Sequence, residues 1–452
     1  MLIVALLALL LLRGKSMPFA LGIALGTPLF FQISDTGVEF SRSVLDTREG
    51  FTVPVSVFAL PLFLPEIAFG LRRIFRPVTK LTHSEQAVIF FCGWALIAFA
   101  WGAARGGARP LILLQVLQPL LLWVIARGFD SPVEFRRFLE GLVVACLATA
   151  ILMVVSTAIL PQNPAIPDHR LNDTVLGGFV LFQAWDYLPV LLVVAAFVAF
   201  GLHHQAAERR EKYLAASAVL ILVTPVLYSR GAMLTLLGGL VLLAFAIRHR
   251  FGWRLRLAAV SSICVLVVVS SAVGGSSTQR IVETLGVGAG ATKPSDEIRS
   301  EALGRAVRQV IAQPVVGRAM TPTDTDPVTG VRKTVNAHNQ YIDYAVRGGL
   351  PLMLSFGAIL FFTLRTLWRR ARHSSDPLWV ALAAAVTAVA CASNLAQVSF
   401  VQPLTAFPLW FLLGIVGSRA FSGECGASPD DSGPSDAELS GRESRSHQLI
   451  PT

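Results

Sequence analysis

The chain has 452 residues, of which 54% are hydrophobic and only 15% are charged. A soluble globular protein usually has about 25% charged residues, so this composition excludes an ordinary soluble domain. The net charge of +10 has the sign that nucleic-acid-binding proteins carry, but the basic residues stand in short clusters between apolar blocks. That distribution is typical of the cytoplasmic loops of membrane proteins, and we predict no nucleic-acid partner.

Apolar blocks recur along the chain, and most have about the length that spans a bilayer, roughly 17–25 residues. They lie near 1–12, 17–33, 52–70, 86–103, 110–126, 140–160, 186–202, 214–228, 232–247, 257–274, 350–368, 378–395 and 404–418. In lipid such blocks have to be helical, because no water is available to satisfy open backbone groups. The sequence therefore predicts an all-α polytopic membrane protein with about 12–13 transmembrane helices.

Basic residues orient these helices. Six loops on one side of the predicted membrane, counted together with the helix-end Arg365, contain 20 Lys or Arg. The short loops on the opposite side contain six. The basic loops start at Arg13, Leu71, Arg127, His203, Arg248 and Arg369. If all six loops are cytoplasmic, successive apolar blocks cross the membrane in alternating directions along the whole chain. We predict a multi-pass protein of the inner or plasma membrane.

The chain divides into three regions. Residues 1–213 hold the N-terminal transmembrane helices, and residues 214–418 form a second membrane region. The second region includes the one long interhelical segment, 275–349, which falls on the extracytoplasmic side; a loop of this length is usually functional. Residues 419–452 are rich in Ser, Gly, Asp and Glu, which predicts a disordered cytoplasmic tail.

Histidine is the side chain best suited to act as a base near neutral pH. Of the eight histidines, only His169 and His338 face outward under this topology. His338 lies in a polar cluster, 336–341, directly before the next apolar stretch. From the loop sequence alone, a solvated histidine without a catalytic role is the simpler interpretation of His338.

Arg230 follows Ser229 in a very short connection between two apolar blocks. Ser229 is a natural N-cap, and a helix N-terminus offers free N–H groups to an anion. The arginine adds a planar fork that suits phosphate oxygens. The alternative is an interfacial arginine that extends to lipid headgroups.

Residues 295–313 have the apolar spacing of an amphipathic helix. Arg299 falls near the middle of its apolar face, whereas Glu301, Arg305 and Arg308 fall opposite. An arginine on a buried helix face needs a partner. A diphosphate and a buried carboxylate are both candidates.

Other motifs predict no chemistry. The glycines of 286–290 lack the strand context and the GK[ST] ending of a phosphate loop. Asp324 and Asp326 lie in a Pro/Thr-rich loop without a further carboxylate at useful spacing, which favours a solvated turn over a metal site. The five cysteines show no CxxC spacing. We predict neither a metal ion nor a cofactor.

Three motifs occur in order along the second region: an SRG turn at 229–231, an arginine-bearing helix that ends in a P-x-x-G turn at 314–317, and an HN pair at 338–339. In this combination the chain resembles the O-antigen ligase and polymerase family over about residues 215–370. The family's turn usually continues as G-x-G, whereas Arg318 and Ala319 follow Gly317 here.

The resemblance implies an all-helical membrane glycosyltransferase of cell-envelope polysaccharide biosynthesis. It would transfer or polymerise a glycan from an undecaprenyl-diphosphate-linked donor onto a hydroxyl of a glycan or lipid acceptor, at the periplasmic or extracellular face. By the same resemblance, His338 is the base that deprotonates the acceptor, and Arg230 and Arg299 bind the diphosphate. Three further residues are expected to contact the substrates: Ser229, Asn339 and Arg318.

Three other functions remain as alternatives at this stage. A non-catalytic envelope scaffold is one, but it would leave Arg299 on its apolar face unexplained. A protein O-oligosaccharyltransferase would share the membrane core and differ in its acceptor. A transporter or flippase of lipid-linked or anionic solutes would have functional charges at mid-membrane and paired discontinuous helices. The apolar blocks are nearly free of charge, and the unusual residues cluster at one face, which favours an outward-facing enzyme.

Overall fold

The structure is a computed structural model that describes much of the membrane region and parts of its loops. The described residues are 2–27, 29–33, 51–54, 60–74, 81–104, 110–129, 131–159, 174–176, 179–181, 188–203, 210–226, 230–247, 294–318, 323–325, 332–334, 339–396, 400 and 403–417. The apolar block near 257–274 and the tail at 419–452, both predicted above, lie outside them.

Helices form most of the described chain. In chain order they are α1 (Leu2–Lys15), α2 (Met17–Gly26), α3 (Leu64–Ile74), α4 (His83–Ala104), α5 (Pro110–Ala126), α6 (Pro132–Ile159), α7 (Leu188–His203), α8 (Arg210–Val226), α9 (Arg230–Ile247), α10 (Pro294–Ala312), α11 (Gln340–His373), α12 (Pro377–Ala388), α13 (Asn394–Ala396) and α14 (Pro403–Gly417). A 3-10 turn (Leu60–Phe63) precedes α3, and a π-helical turn (Val389–Ser393) extends α12.

Short strands occur in the loops. They are β1 (Leu29–Ile33), β2 (Phe51–Pro54), β3 (Thr174–Leu176), β4 (Phe179–Leu181), β5 (Thr323–Thr325) and β6 (Arg332–Thr334). The first four form one antiparallel sheet in the order β2-β1-β4-β3, and β5 pairs with β6. The ends of two apolar blocks, near 29–33 and 52–54, are thus strands where helix was expected. Their backbone groups are satisfied by the neighbouring strand instead.

The predicted fold class is confirmed: the chain is an all-α polytopic membrane protein. Among the described helices, α4 and α11 are long and apolar enough to cross a bilayer. Shorter apolar helices accompany them: Met17–Gly26, Leu188–His203, Gly231–Ala246, Pro377–Ser393 and Ala406–Gly417. The number of about 12–13 spans stays a prediction, because part of it concerns residues outside the described ranges.

Helix contacts define two ends of the bundle. Gly201, near the end of α7, packs against Leu378, near the start of α12; a β-carbon on the glycine would stand 2.7 Å from Leu378 Cα. These two helices therefore run antiparallel. Only short connections join α7 to α8 and α8 to α9, so the chain reverses twice and α9 runs in the direction of α7. We call the end where α7 and α9 begin the upper end, and the opposite one the lower end.

Polar groups close the lower end. Thr82 and Glu85 form a capping box at the start of α4, in which Thr82 N donates to Glu85 Oε2 and Glu85 N donates to Thr82 Oγ1. The other carboxylate oxygen of Glu85 accepts from Arg127 Nε at 2.6 Å, in a pair that is almost completely buried. Thr82 Oγ1 also donates to Gly417 O at 2.7 Å. These bonds tie together the start of α4 and the ends of α5 and α14.

Glycine permits close helix packing between α2 and α6. A β-carbon on Gly22 would lie 2.1 Å from Phe138 O, and one on Gly141 would lie 2.2 Å from Phe19 O. Small residues at such crossings let two backbones approach closely, which is a common way to gain packing energy in lipid.

Candidate functional site

The turn Pro314–Gly317, which follows α10, exchanges hydrogen bonds with α11. In an unbroken helix Leu350 N would donate to Val346 O. Here Leu350 N donates instead to Pro314 O at 2.7 Å, and Val346 O accepts from Arg318 N at 2.7 Å. The turn thus supplies a partner for each of the two groups that the helix leaves open. This exchange interrupts α11 and joins it to the end of α10.

Both glycines of this junction are required by geometry. Gly317 has φ +58° and Gly349 has φ +78°, in the left-handed region that glycine adopts without strain. A β-carbon on Gly349 would lie 1.9 Å from Val315 O, and one on Gly317 would lie 2.5 Å from Val346 O. The P-x-x-G motif and the glycine of α11 therefore form one interlocked unit.

α10 packs on the first segment of α11, residues 340–348. Ala306 and Val346 are buried against each other, with Val310 and Ile342 packed around them. The sequence prediction placed this segment in the extracytoplasmic loop and began the next apolar block near 350. The structure differs: α11 already begins at Gln340. Its first segment carries polar residues on one side, which an apolar pattern does not detect.

Asn339 is the N-cap of α11. Its side-chain Oδ1 accepts from the backbone N–H groups of Tyr341 and Ile342 at 3.0 and 3.1 Å. Its Nδ2 donates to Leu395 O in α13 at 3.4 Å. The Asn339 amide thus fixes the start of α11 directly after His338, and also holds it against the chain that follows α12.

We expect Asn339→Ala to destabilise the protein by about 1 kcal/mol, which is typical for the loss of an N-cap. Asn339→Asp keeps the accepting oxygen and should retain most of the stability. The measurement is the apparent melting temperature of both variants and the wild type after purification in the same detergent. An alanine variant that melts with the wild type would contradict the role of the cap.

Further hydrogen bonds hold the first segment of α11 at the upper end. Tyr341 OH donates to Ala390 O at 2.8 Å, in the π-helical turn. Gln340 Oε1 accepts from Phe400 N at 2.8 Å. Since α12 ends at the upper end, α11 must begin there as well.

A charged pair lies inside the same segment. Asp343 is buried, and its Oδ2 is 2.6 Å from Arg347 Nε, one helical turn later. The sequence reasoning missed this pair, although the i, i+4 spacing of opposite charges is visible in the sequence. Among the described residues, no group of three or more His, Cys, Asp or Glu is placed to hold a metal ion.

Arg230 is the first residue of α9, and its side chain is not among those described. Eight residues further along, a β-carbon on Gly238 would lie 4.0 Å from Ala388 Cβ on α12. A helix rises about 1.5 Å per residue. Measured along the helices from this contact, the Arg230 backbone therefore lies about 12 Å nearer the upper end, and the Leu395 backbone about 10 Å nearer it. Arg230 and Leu395 are therefore at similar heights, and Leu395 O is the acceptor of Asn339.

Arg299 lies in the first half of α10, which runs over nearly the predicted residues. Its side chain is also outside the description. At about 100° per residue, position 299 falls between Ala306 and Val310 around the helix, on the side that packs against α11. The backbone thus brings the α9 start, the packed side of α10 and the α11 start to one end of the bundle.

The remaining predicted site residues divide into two groups. Ser229 and His338 lie outside the described residues, each directly before a described position, Arg230 and Asn339. Arg318 is half-buried, and its backbone N–H closes the turn onto Val346. Sequence reasoning did not find the interlock at Gly349.

Residues 215–357 match the family model described as O-antigen ligase (Wzy_C). The match begins in α8 and ends in α11, so it contains the α9 start, α10 and the interlocked turn. No curated protein matches the chain at a significant level. The resemblance inferred from the three motifs is thereby confirmed.

Proposed function

We propose, from the match of residues 215–357 to the O-antigen ligase family model, that the protein transfers or polymerises a glycan carried on undecaprenyl diphosphate. The acceptor is a hydroxyl of a glycan or lipid, and the reaction belongs to cell-envelope polysaccharide biosynthesis. The observation that carries the proposal is the family match over the helices that bear Arg230 and Arg299 and the start of α11 beside His338.

The reaction assigns one step to each group. The acceptor hydroxyl gives its proton to His338, and the acceptor oxygen forms a bond to the anomeric carbon of the donor sugar. The bond from that carbon to the diphosphate oxygen breaks, and polyprenyl diphosphate leaves with the electron pair. A base held beside the hydroxyl contributes typically 10²–10⁴-fold to such a rate.

Arg230 and Arg299 stabilise the charge that grows on the leaving diphosphate. Preplaced donors of this kind are usually the largest single contribution to catalysis. Arg230 has an additional advantage, because it begins α9. The free N–H groups and the dipole at a helix N-terminus favour an anion at that position. We expect Ser229 to add a donor there, and Arg318 to contact the substrate from the turn after α10.

Asn339 has a different part in this proposal. Both acceptor lone pairs of its amide oxygen are used by the cap, and one N–H is used by Leu395 O. Its contribution to substrate binding is therefore the position that it gives to His338 and to the start of α11, together with its remaining N–H.

The upper end is the extracytoplasmic end in this proposal. Helices α5, α7, α9 and α11 end at the lower end, and each leads towards a cluster of Lys and Arg. Such clusters stay on the cytoplasmic side of an inner or plasma membrane. A donor at the outer leaflet then meets the candidate residues without crossing the bilayer.

A transporter is the alternative from another class. Its signature would be functional charge near mid-membrane. The buried pair Asp343–Arg347 begins only four residues after the N-cap Asn339, about 6 Å along α11. That position is close to the upper end, so the pair supports an enzyme that works at the surface.

The test is a transfer assay with purified polyprenyl-diphosphate-linked glycan as the donor, in proteoliposomes of the full chain. We expect Arg230→Ala and Arg299→Ala each to lower the rate by roughly 10²–10³-fold, as for the loss of one oxyanion-hole donor. The matched control is Arg308→Ala, since Arg308 is exposed on the same helix as Arg299. Normal rates in both variants, with an equal amount of inserted protein, would defeat the proposal.

A further inference from the structure

α10 has a second apolar side that none of the residues in the described ranges packs against. Four residues spaced by four form it, and we call them the lipid stripe: Leu303, Val307, Ile311 and Val315. Val307 is 38% exposed and Ile311 is 73% exposed. Ala306 and Val310, by contrast, pack on α11. The contact with α11 therefore does not account for the lipid stripe.

The lipid stripe is continuous with the membrane-facing side of α11. Its last member, Val315, lies in the turn that bonds to Leu350, and Leu350 is itself exposed. Further along α11, Leu354 is 64% exposed and Phe361 is 61% exposed. Because α11 is long and apolar enough to cross a bilayer, these side chains face lipid. One apolar surface thus runs from α11 across the turn and along α10.

The opposite side of α10 is polar. Glu301, Arg305 and Arg308 are all exposed, and at about 100° per residue they lie roughly 100–160° around the helix from Val307. A helix with a charged side and an opposite apolar side is suited to lie in the plane of a membrane interface, with its apolar side about 5–10 Å into the acyl boundary.

We propose that α10 is an interfacial helix whose lipid stripe is buried in the hydrocarbon of the bilayer. Lipid acyl chains are the occupant, because the stripe is continuous with the lipid-facing side of α11. The segment 275–349, predicted as an extracytoplasmic loop, is then attached to the membrane along α10. This inference is independent of the proposed glycosyl transfer, and its failure would leave that proposal standing.

The consequence concerns the depth of Arg299. Position 299 is on the packed side of α10, one turn before the lipid stripe begins at Leu303. A helix held at the boundary between headgroups and acyl chains keeps this position at the level of lipid phosphates. A diphosphate attached to a membrane-bound polyprenyl chain lies at that same level.

The experiment measures depth in the full chain. An environment-sensitive fluorescent amino acid is encoded at Val307 or Ile311, and the protein is reconstituted in phosphatidylcholine–phosphatidylglycerol vesicles. Lipids brominated on the acyl chain then serve as the membrane quencher, and iodide serves as the aqueous quencher. We expect brominated lipid to quench both positions several-fold more than iodide does.

Matched positions make the result decisive. The same amino acid at Arg305 or Arg308 should show the reverse preference, and at Leu354 it gives the value of a lipid-facing residue. Quenching at 307 and 311 that equals quenching at 305 and 308 overturns the proposal. Protection of 307 and 311 from both quenchers overturns it too, because another segment of the chain or a second copy would then cover the stripe.

Discussion

Replacing His338 with alanine is expected to lower the transfer rate by about 10²–10⁴-fold, the usual contribution of a general base. The loss should appear in the rate with bound substrates more than in donor affinity, since the diphosphate is bound by Arg230 and Arg299 in the proposed mechanism. A transfer assay at saturating donor measures it, together with direct binding of the lipid-linked donor.

The control for this variant is His169→Ala. His169 is the other histidine predicted to face outward, and nothing in the proposed reaction uses it. We expect normal transfer from His169→Ala in the same vesicles. If His338→Ala transfers glycan at the wild-type rate, the assignment of the base is wrong. If it loses donor binding as well, His338 contributes to the diphosphate site instead.

Strong periodic patterns in the sequence predicted their elements well. The helix expected at 295–313 is found at Pro294–Ala312, because its apolar residues recur at helical spacing over about four turns. The last two apolar blocks also coincide closely with α12 and its π-helical turn, and with α14. A single apolar segment of this length can satisfy its own backbone hydrogen bonds in lipid only as a helix.

The start of α11 could not be read from hydropathy. Gln340, Asp343 and Arg347 interrupt the apolar pattern, so the sequence placed this segment in a loop. In the structure each of these polar groups has a partner: Gln340 accepts from Phe400 N, and Asp343 pairs with Arg347. One bond to a residue distant in the sequence, Phe400, and one local i, i+4 pair thus stabilise the helix where the apolar pattern is interrupted.

The sequence predicted which residues belong to the candidate site, but it did not predict how the elements that carry them contact one another. The order of the SRG, P-x-x-G and HN motifs indicated the family, and the family match confirms that. The hydrogen-bond exchange between the turn and α11 joins residues 36 positions apart, Pro314 and Leu350. Nothing in a proline or a leucine by itself indicates that these two residues are hydrogen-bonded. Only Gly349 carries a local signal, since it stands two residues before Pro351 within an apolar run.

That glycine gives the largest expected structural effect. Gly349→Ala would put a β-carbon 1.9 Å from Val315 O, and this oxygen belongs to a backbone that is itself bonded to α11. Relief requires the turn to move away, which breaks the bonds to Leu350 N and Val346 O at about 0.5–1.5 kcal/mol each. The strained φ adds about 1–3 kcal/mol. We expect a total destabilisation of about 3 kcal/mol or more.

Gly357→Ala is the matched control on the same helix. A β-carbon there meets nothing within 4 Å, and alanine is favoured over glycine in a helix by roughly 0.5–1 kcal/mol, so this variant should melt at or above the wild-type temperature. The measurement is the apparent melting temperature in detergent, followed by the transfer assay on the fraction that remains folded. Because α10 is attached to α11 through the turn, displacement of the turn also moves α10, and with it position 299, relative to α11. Gly349→Ala should therefore lose transfer activity even at temperatures where it stays folded, whereas a variant with wild-type melting and wild-type transfer would show that the interlock is dispensable.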